Sequence, residues 1–238
     1  MGKPSLVLAS NSPRRRELLS LGGWSFITRP TEVDESQQPG EAPRSYVLRL
    51  AETKARICAS SFKTSDTLSP TNKGILHTDE NLTILAADTA VVESESILGK
   101  PKDNAEAVEM LLRLRSRTHQ VYTGVAILGM SEGNLRTDLC VTDVPMRPYS
   151  EEEIDSYVAT GDPLDKAGAY AIQNSKFHPV IMFSGCYASV MGLPLCHLTR
   201  TLGKFGIAPE TSISAACQSS LNYTCPISAA VLSGEQVG

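Results

Sequence analysis

A single aspartate, Asp88, interrupts an otherwise apolar run from Leu82 to Val92. The apolar run predicts a strand that is buried on both faces. A carboxylate in such a strand loses hydration, so a partner, a proton or a metal ion must compensate it. We therefore predict that Asp88 is an active-site carboxylate. The alternative is a structural aspartate that is bonded to a loop backbone.

A basic segment follows the first apolar run of the chain. Arg14, Arg15 and Arg16 come directly after Ser12 and Pro13. Ser12 is a candidate helix N-cap and Pro13 a candidate first helical residue, which predicts a strand-to-helix junction. Free backbone N–H groups at such a junction attract anions. We predict that Ser12, Arg14 and Arg15 bind phosphate, with a solvated, charged helix start as the alternative.

Three lysines are further candidates for binding phosphate. Lys54 lies on the apolar stripe of a predicted amphipathic helix, so it either snorkels to the surface or points into a cavity. Lys100 lies in a loop before a proline, and Lys166 follows Asp165, with which a surface ion pair is the alternative. Together with the arginines, these lysines provide enough positive charge to bind a polyphosphate.

An acidic turn supplies a second carboxylate, Glu35, which either helps to hold a divalent cation or is simply solvated. The four histidines have no metal-ligand spacing with one another or with cysteine, so a zinc site is not expected. Any metal should therefore be bound by oxygen. The glycine signatures of P-loop and dinucleotide-binding proteins are absent as well.

The elements that position these residues alternate between strand and helix. One antiparallel hairpin is predicted from His119 to Met146, and Ser150 with Glu153 matches a helix capping box. We predict an α/β fold: a mixed, twisted sheet with flanking helices, arranged as two lobes around a central cleft. Residues 1–207 form the predicted domain, with a polar insertion at 63–81, and residues 208–238 a mobile tail.

Composition limits the partners and the location. The 238 residues include 22 Lys+Arg and 26 Asp+Glu, a net charge of -4, so no nucleic-acid polymer is expected as a partner. The absence of an apolar run of about 18 residues argues against a membrane span. Six cysteines without a C-x-x-C pair, and no recognisable signal peptide, indicate a reduced cytoplasmic protein.

A series of short motifs extends this prediction to a family. In order they are Leu8-Ala9-Ser10-x-Ser12-Pro13-Arg14-Arg15, Lys54-Ala55, Ala87-Asp88-Thr89, Gly99-Lys100-Pro101, Tyr122-Thr123-Gly124, Asp165-Lys166-Ala167-Gly168-x-Tyr170-x-Ile172-Gln173 and Gly192-Leu193-Pro194. From about residue 5 to 206 the sequence resembles the Maf family of nucleoside triphosphate pyrophosphatases, which is related in fold to the inosine triphosphate pyrophosphatases.

The resemblance implies an activity: hydrolysis of a nucleoside triphosphate to the monophosphate and pyrophosphate with Mg²⁺ or Mn²⁺. Asp88 is then the proton acceptor, and together with Glu35 it is the expected metal ligand. Lys54 and Lys100 contribute to the same site. Base choice is linked to the positions of Arg14, Thr89 and Gln173, and their combination resembles the branch that acts on dTTP and UTP. The family also implies a homodimer.

Two other functions compete with this one. A nucleotide-binding regulator of cell division or septum formation, with little catalysis, is the main alternative, because the family is associated with septum inhibition. It requires cationic groups but no catalytic carboxylate, so Asp88, Glu35 and Lys54 argue against it. A phosphomonoesterase is disfavoured, since so many cationic candidates suit a polyphosphate better than a single phosphate.

Overall fold

A six-stranded mixed sheet forms the centre of the computed structural model, which describes residues 5–65 and 82–238. Its strands run in the order β2-β1-β3-β5-β6, and β4 pairs with β3. β1 is parallel to β2 and β3, and the other pairs are antiparallel. The predicted mixed α/β sheet is thereby confirmed. The strands are β1 (Ser5–Leu8), β2 (Phe26–Thr28), β3 (Leu82–Glu93), β4 (Ser96–Leu98), β5 (Thr118–Gly129) and β6 (Leu135–Pro145).

Some of the helices begin at a residue whose side chain caps the first turn. Asp103 caps α3, and Ser150 with Glu153 forms the predicted capping box of α4. Within the described part of the chain, no helix combines the length and the hydropathy that a membrane crossing requires. The helices are α1 (Pro13–Ser20), α2 (Pro43–Ser65), α3 (Asn104–Leu114), α4 (Glu151–Val158), α5 (Tyr187–Val190), α6 (Leu195–Gly203), α7 (Ile213–Leu221) and α8 (Ser228–Leu232).

The long strand β3 contributes to separate hydrophobic cores. Around its first half, α2 covers one face of the sheet, and α1 with α6 to α8 covers the other. Beyond Asp88, the strand packs with α3 and α4 around Val91, Leu111 and Ile154. Burying a leucine such as Leu111 stabilises the fold by about 2 kcal/mol. These cores give the molecule the two predicted lobes, and the cleft lies between them.

The predicted insertion begins later than expected. α2 continues to Ser65, so residues 63–65 are helical and not part of a loop. A favourable helix that is already 20 residues long extends through a few polar residues at little cost, because each added residue gains a backbone hydrogen bond. The remainder of the predicted insertion, 66–81, lies outside the described residues.

The C-terminal segment differs from the mobile tail that the sequence predicts. It contains α7 and α8, and both Ile213 and Val231 are buried in the same core as α6. Arg200 of α6 also forms an ion pair with Asp138 and donates a hydrogen bond to the Glu235 carbonyl. The two helices are short and carry few large apolar side chains, so no helical period is visible in the sequence.

Replacing Val231 with alanine tests this packing. The side chain is fully buried, so Val231→Ala should lower the free energy of unfolding by about 1–3 kcal/mol. Its neighbour Leu232 is 41% exposed, and Leu232→Ala is the matched control, with an expected effect below about 0.5 kcal/mol. Urea unfolding measures both variants. Equal effects would mean that α8 does not pack on the core.

Candidate active site

A lysine joins two carboxylates at the centre of the cleft. Asp88 lies within β3 and is only 6% exposed. The Lys54 Nζ atom, from α2, lies 2.6 Å from Asp88 Oδ1 and 2.7 Å from Glu35 Oε1. Lys54 is itself 8% exposed, so it points into the cavity, which is one of the two predicted alternatives. The structure thus pairs Asp88 with a buried ammonium group and not with a loop backbone.

Close packing of α2 on the sheet places Lys54 beside Asp88. Gly124 of β5 is the register partner of Asp88. A Cβ atom at Gly124 would lie 2.9 Å from the Val47 carbonyl oxygen of α2, which is closer than real Cβ contacts allow. The absence of a side chain at this position therefore lets α2 approach the strand pair. The Tyr-Thr-Gly motif contributes to the site through this packing.

The two carboxylates have pKa values that shift in opposite directions. Burial raises the pKa of Asp88, and the charges of Lys54 and Arg15 oppose that rise only in part. Glu35 is less buried, and although burial acts on it in the same sense, the hydrogen bond and charge of Lys54 lower its pKa overall. Asp88 is therefore the stronger proton acceptor of the pair, while Glu35 remains ionised. Such a separation is typical of acid–base sites.

Arg15 is held by hydrogen bonds between the loop before α6 and β3. Its Nε atom donates to the Gly192 carbonyl at 2.8 Å, and its Nη2 atom donates to Thr89 Oγ1 at 3.2 Å. Burial lowers the pKa of Arg15, against the attraction of Asp88. Gly192 has φ of +109°, and a Cβ there would lie 3.3 Å from Arg15 Nε. The conformation that brings this carbonyl to Arg15 thus favours glycine.

The N-terminus of α1 faces the cleft, as predicted. Ser12 Oγ accepts a hydrogen bond from the Arg15 backbone N–H, so its hydroxyl acts as the helix N-cap. Arg14 reaches across the cleft towards Asp165, with 3.7 Å between Nη1 and Oδ2. That carboxylate is 67% exposed, so the pair is weakly held. An anion in the cleft can compete for Arg14.

The Lys166 ammonium group donates hydrogen bonds to three acceptors, two of them carboxylate oxygens. Its ammonium group donates to the Asp162 carbonyl at 2.6 Å, to Asp162 Oδ1 at 2.9 Å and to Asp165 Oδ1 at 2.5 Å. An ammonium group has three hydrogens, so none is left for a phosphate in this arrangement. The geometry corresponds to the ion-pair alternative for Lys166. Its three contacts organise the turn that holds Asp165 opposite Arg14.

The cleft has a volume of about 640 Å³, within the usual range for ligand sites. Lys100 and Gln173 are exposed on its walls. Among the described residues, neither side chain has a hydrogen-bond or ion-pair partner, so both are free to meet a ligand. All ten predicted site residues line the cleft: Ser12, Arg14, Arg15, Glu35, Lys54, Asp88, Thr89, Lys100, Lys166 and Gln173.

Two parts of the site were not predicted from the sequence. Glu32 also lines the cleft, three residues before Glu35 in the same acidic turn. The alternation of acidic residues in that turn is a signal that could have indicated it. The Gly192 carbonyl that binds Arg15 is a backbone group, and no side-chain pattern identifies it.

The chain is similar to known proteins over most of its length. Residues 5–205 match the family model described as Maf-like protein. A protein of Dehalococcoides mccartyi named dTTP/UTP pyrophosphatase is 38% identical over 207 residues, which cover 87% of this chain and 85% of that protein. A protein of Chlorobium phaeovibrioides with the same name is 42% identical over 205 residues, covering 86% and 98%. The Ham1 protein of Staphylococcus aureus matches structurally with a TM-score of 0.36 and 14% identity, over 60% of this chain and 71% of that chain.

Removing the ammonium group of Lys54 should raise the pKa of Asp88 further. In Lys54→Met, both the hydrogen bond and the charge that stabilise the ionised carboxylate are lost, while burial still favours the protonated form. Titration of ¹³C-labelled aspartate by NMR measures this shift. Arg56→Met is the control, since Arg56 lies on the same helix with a side chain 56% exposed. An unchanged or lower pKa in Lys54→Met would show that Lys54 does not stabilise the Asp88 anion.

Proposed function

The chain belongs to the Maf family, and from this premise we propose that it hydrolyses nucleoside triphosphates, dTTP and UTP first, to the monophosphate and pyrophosphate. The observation that carries the proposal is the buried Asp88, held by Lys54 beside Glu35 in a cleft with cationic walls. The relatives named dTTP/UTP pyrophosphatase, at 38% and 42% identity, support this choice of substrate.

The charges on the cleft walls suit a triphosphate. The substrate brings about four negative charges, which must be offset before water can approach the phosphorus. Lys100 is exposed and free of partners among the described residues, and Arg14 has only a weak ion pair to release. We assign the outer phosphates to these two side chains. Arg15 and Lys54 are fixed deeper in the cleft and face the reacting bond.

A divalent cation, Mg²⁺ or Mn²⁺, fits the donor chemistry of Asp88 and Glu35. Both offer carboxylate oxygens, and Mg²⁺ is usually held by one or two carboxylates together with substrate phosphates. Among the described residues, no group of three histidine, cysteine or acidic side chains is placed to hold a metal. A site shared with the substrate is therefore the arrangement that the residues support. When bound, the cation neutralises phosphate charge and polarises the phosphorus–oxygen bond.

Asp88 is the proton acceptor of the proposed reaction. The attacking water gives a proton to a carboxylate oxygen of Asp88, and the water oxygen forms a bond to the α-phosphorus. The bond from the α-phosphorus to the α–β bridging oxygen breaks, and pyrophosphate leaves with that bonding pair. The raised pKa of Asp88 strengthens it as a base. A sensor that only binds nucleotide would not require this costly buried carboxylate.

The nucleobase is selected by a second set of cleft residues, which shares Arg14 with the phosphate-binding set. We assign base choice to Arg14, Thr89 and Gln173. The amide of Gln173 has one acceptor and one donor side, which match the edge of thymine or uracil. The side chain is exposed to the cleft, and no described residue holds it.

The remaining features of the proposal follow by analogy with the family. We infer that the active form is a homodimer in the cytoplasm and that residues 1–207 carry the activity. The segment 208–238 then contributes to stability through α7 and α8, which pack on α6.

The products identify the bond that is broken and the atom that is attacked. With Mg²⁺ and ¹⁸O-labelled water, dTTP should yield pyrophosphate and dTMP, with one ¹⁸O atom in the dTMP, because water attacks the α-phosphorus. Mass spectrometry of both products measures this. Release of orthophosphate with dTDP would contradict cleavage between the α- and β-phosphates. Label in the pyrophosphate would place the attack at the β-phosphorus.

A further inference from the structure

Two threonines face each other across the β3–β5 pair at the edge of the cleft. Thr89 and Thr123 are register partners, and their Oγ1 atoms lie 3.0 Å apart. Thr89 lines the cleft, whereas Thr123 is completely buried and is not part of its wall. Thr123 belongs to the Tyr-Thr-Gly motif, and the proposed mechanism gives its hydroxyl no role.

The direction of each hydrogen bond in this pair follows from its neighbours. Thr123 Oγ1 lies 2.9 Å from the Ser189 carbonyl oxygen. A carbonyl oxygen can only accept, so the single hydroxyl hydrogen of Thr123 is donated to it. Thr89 must then be the donor to Thr123. Arg15 Nη2 lies 3.2 Å from Thr89 Oγ1 and can only donate. The hydrogen bonds thus all run in one direction: Arg15 donates to Thr89, Thr89 donates to Thr123, and Thr123 donates to the Ser189 carbonyl.

This direction limits what Thr89 offers to a ligand. A hydroxyl has one proton and two lone pairs. Thr89 donates its hydroxyl hydrogen to Thr123 and accepts a hydrogen bond from Arg15 with one lone pair. One lone pair therefore remains for a ligand in the cleft. An ionised phosphate oxygen carries no proton and cannot bind to a lone pair. A direct contact between Thr89 and the substrate is therefore made with an N–H or O–H group of the nucleoside and not with a phosphate oxygen.

We propose that Thr123 is a positioning residue for base selection. It accepts the hydrogen bond of the Thr89 hydroxyl, so Thr89 can only accept a hydrogen bond from the substrate. The inference rests on the proposed function. Thymine and uracil carry an imide N–H at N3, which can donate to Thr89. We place the contact at N3, where cytosine has no hydrogen: its base N–H donors are on the exocyclic N4 amino group. In the same binding pose, the N3 lone pair of cytosine would therefore meet the lone pair of Thr89. The buried hydroxyl of Thr123 thus favours dTTP over dCTP without touching either.

The test is the ratio of kcat/KM for dTTP to that for dCTP. In Thr123→Val the side chain keeps its shape but accepts no hydrogen bond, so the Thr89 hydroxyl is free to donate to N3 of cytosine. The ratio should fall by roughly tenfold, the value of one hydrogen bond. Thr123→Ser restores the hydroxyl and should restore the ratio. If Thr123→Val does not fold, Thr123→Cys replaces it, since a thiol is a weak hydrogen-bonding group, and the ratio should fall in the same direction.

A matched control separates positioning from general damage to the core. Thr142→Val removes another buried threonine hydroxyl, whose contact is Cys140 Sγ at 3.6 Å, and it should leave the ratio unchanged. An unchanged ratio in a folded Thr123→Val protein would overturn the inference. A change in the preference for ribose over deoxyribose, with no change between bases, would also overturn it. Wild-type protein inactive on both dTTP and UTP would instead refute the proposed function.

Discussion

The negative charge of Asp88 has to be stabilised in a strand that water hardly reaches, and the rest of the site depends on this constraint. An isolated carboxylate there would bind a proton instead of remaining ionised. Lys54 supplies the compensating charge at 2.6 Å, and it can do so only because α2 packs tightly against Gly124 of β5. The helix α2, Gly124 and the buried carboxylate of Asp88 therefore form one unit. The more exposed Glu35 binds the same ammonium group as a second carboxylate.

Arg15 connects that unit to the second half of the site. Its hydrogen bonds to the Gly192 carbonyl and to Thr89 fix the loop before α6 relative to β3. The weak contact between Arg14 and Asp165 spans the cleft and can open when an anion arrives. Arg15 is therefore part of the packed framework, whereas Arg14 is held only by a long contact with an exposed carboxylate. Because Arg14 and Arg15 are adjacent in the sequence, the sequence alone does not distinguish their environments.

Residue type and local context were sufficient to predict many of the residues that line the cleft. Asp88 and Lys54 are charged residues in apolar patterns, and such a conflict between residue and environment marks a functional position. The role of Lys166 depends on the positions of Asp162 and Asp165, which a charge pattern does not specify. Thr123 carries no signal until strand register places it opposite Thr89. The C-terminal helices escaped prediction because only a few of their side chains, such as Val231, are buried.

In the proposed mechanism, Asp88 removes a proton from the attacking water and does not act only as a binding residue in the wall of the cleft. Single-turnover hydrolysis of dTTP by Asp88→Asn, compared with its dissociation constant for a non-hydrolysable dTTP analogue, tests this most directly. Asp143→Asn is the control, an exposed aspartate of the same sheet. This mechanism requires hydrolysis to slow by roughly 10²- to 10⁴-fold in Asp88→Asn, while the analogue still binds. An unchanged rate of hydrolysis would contradict it.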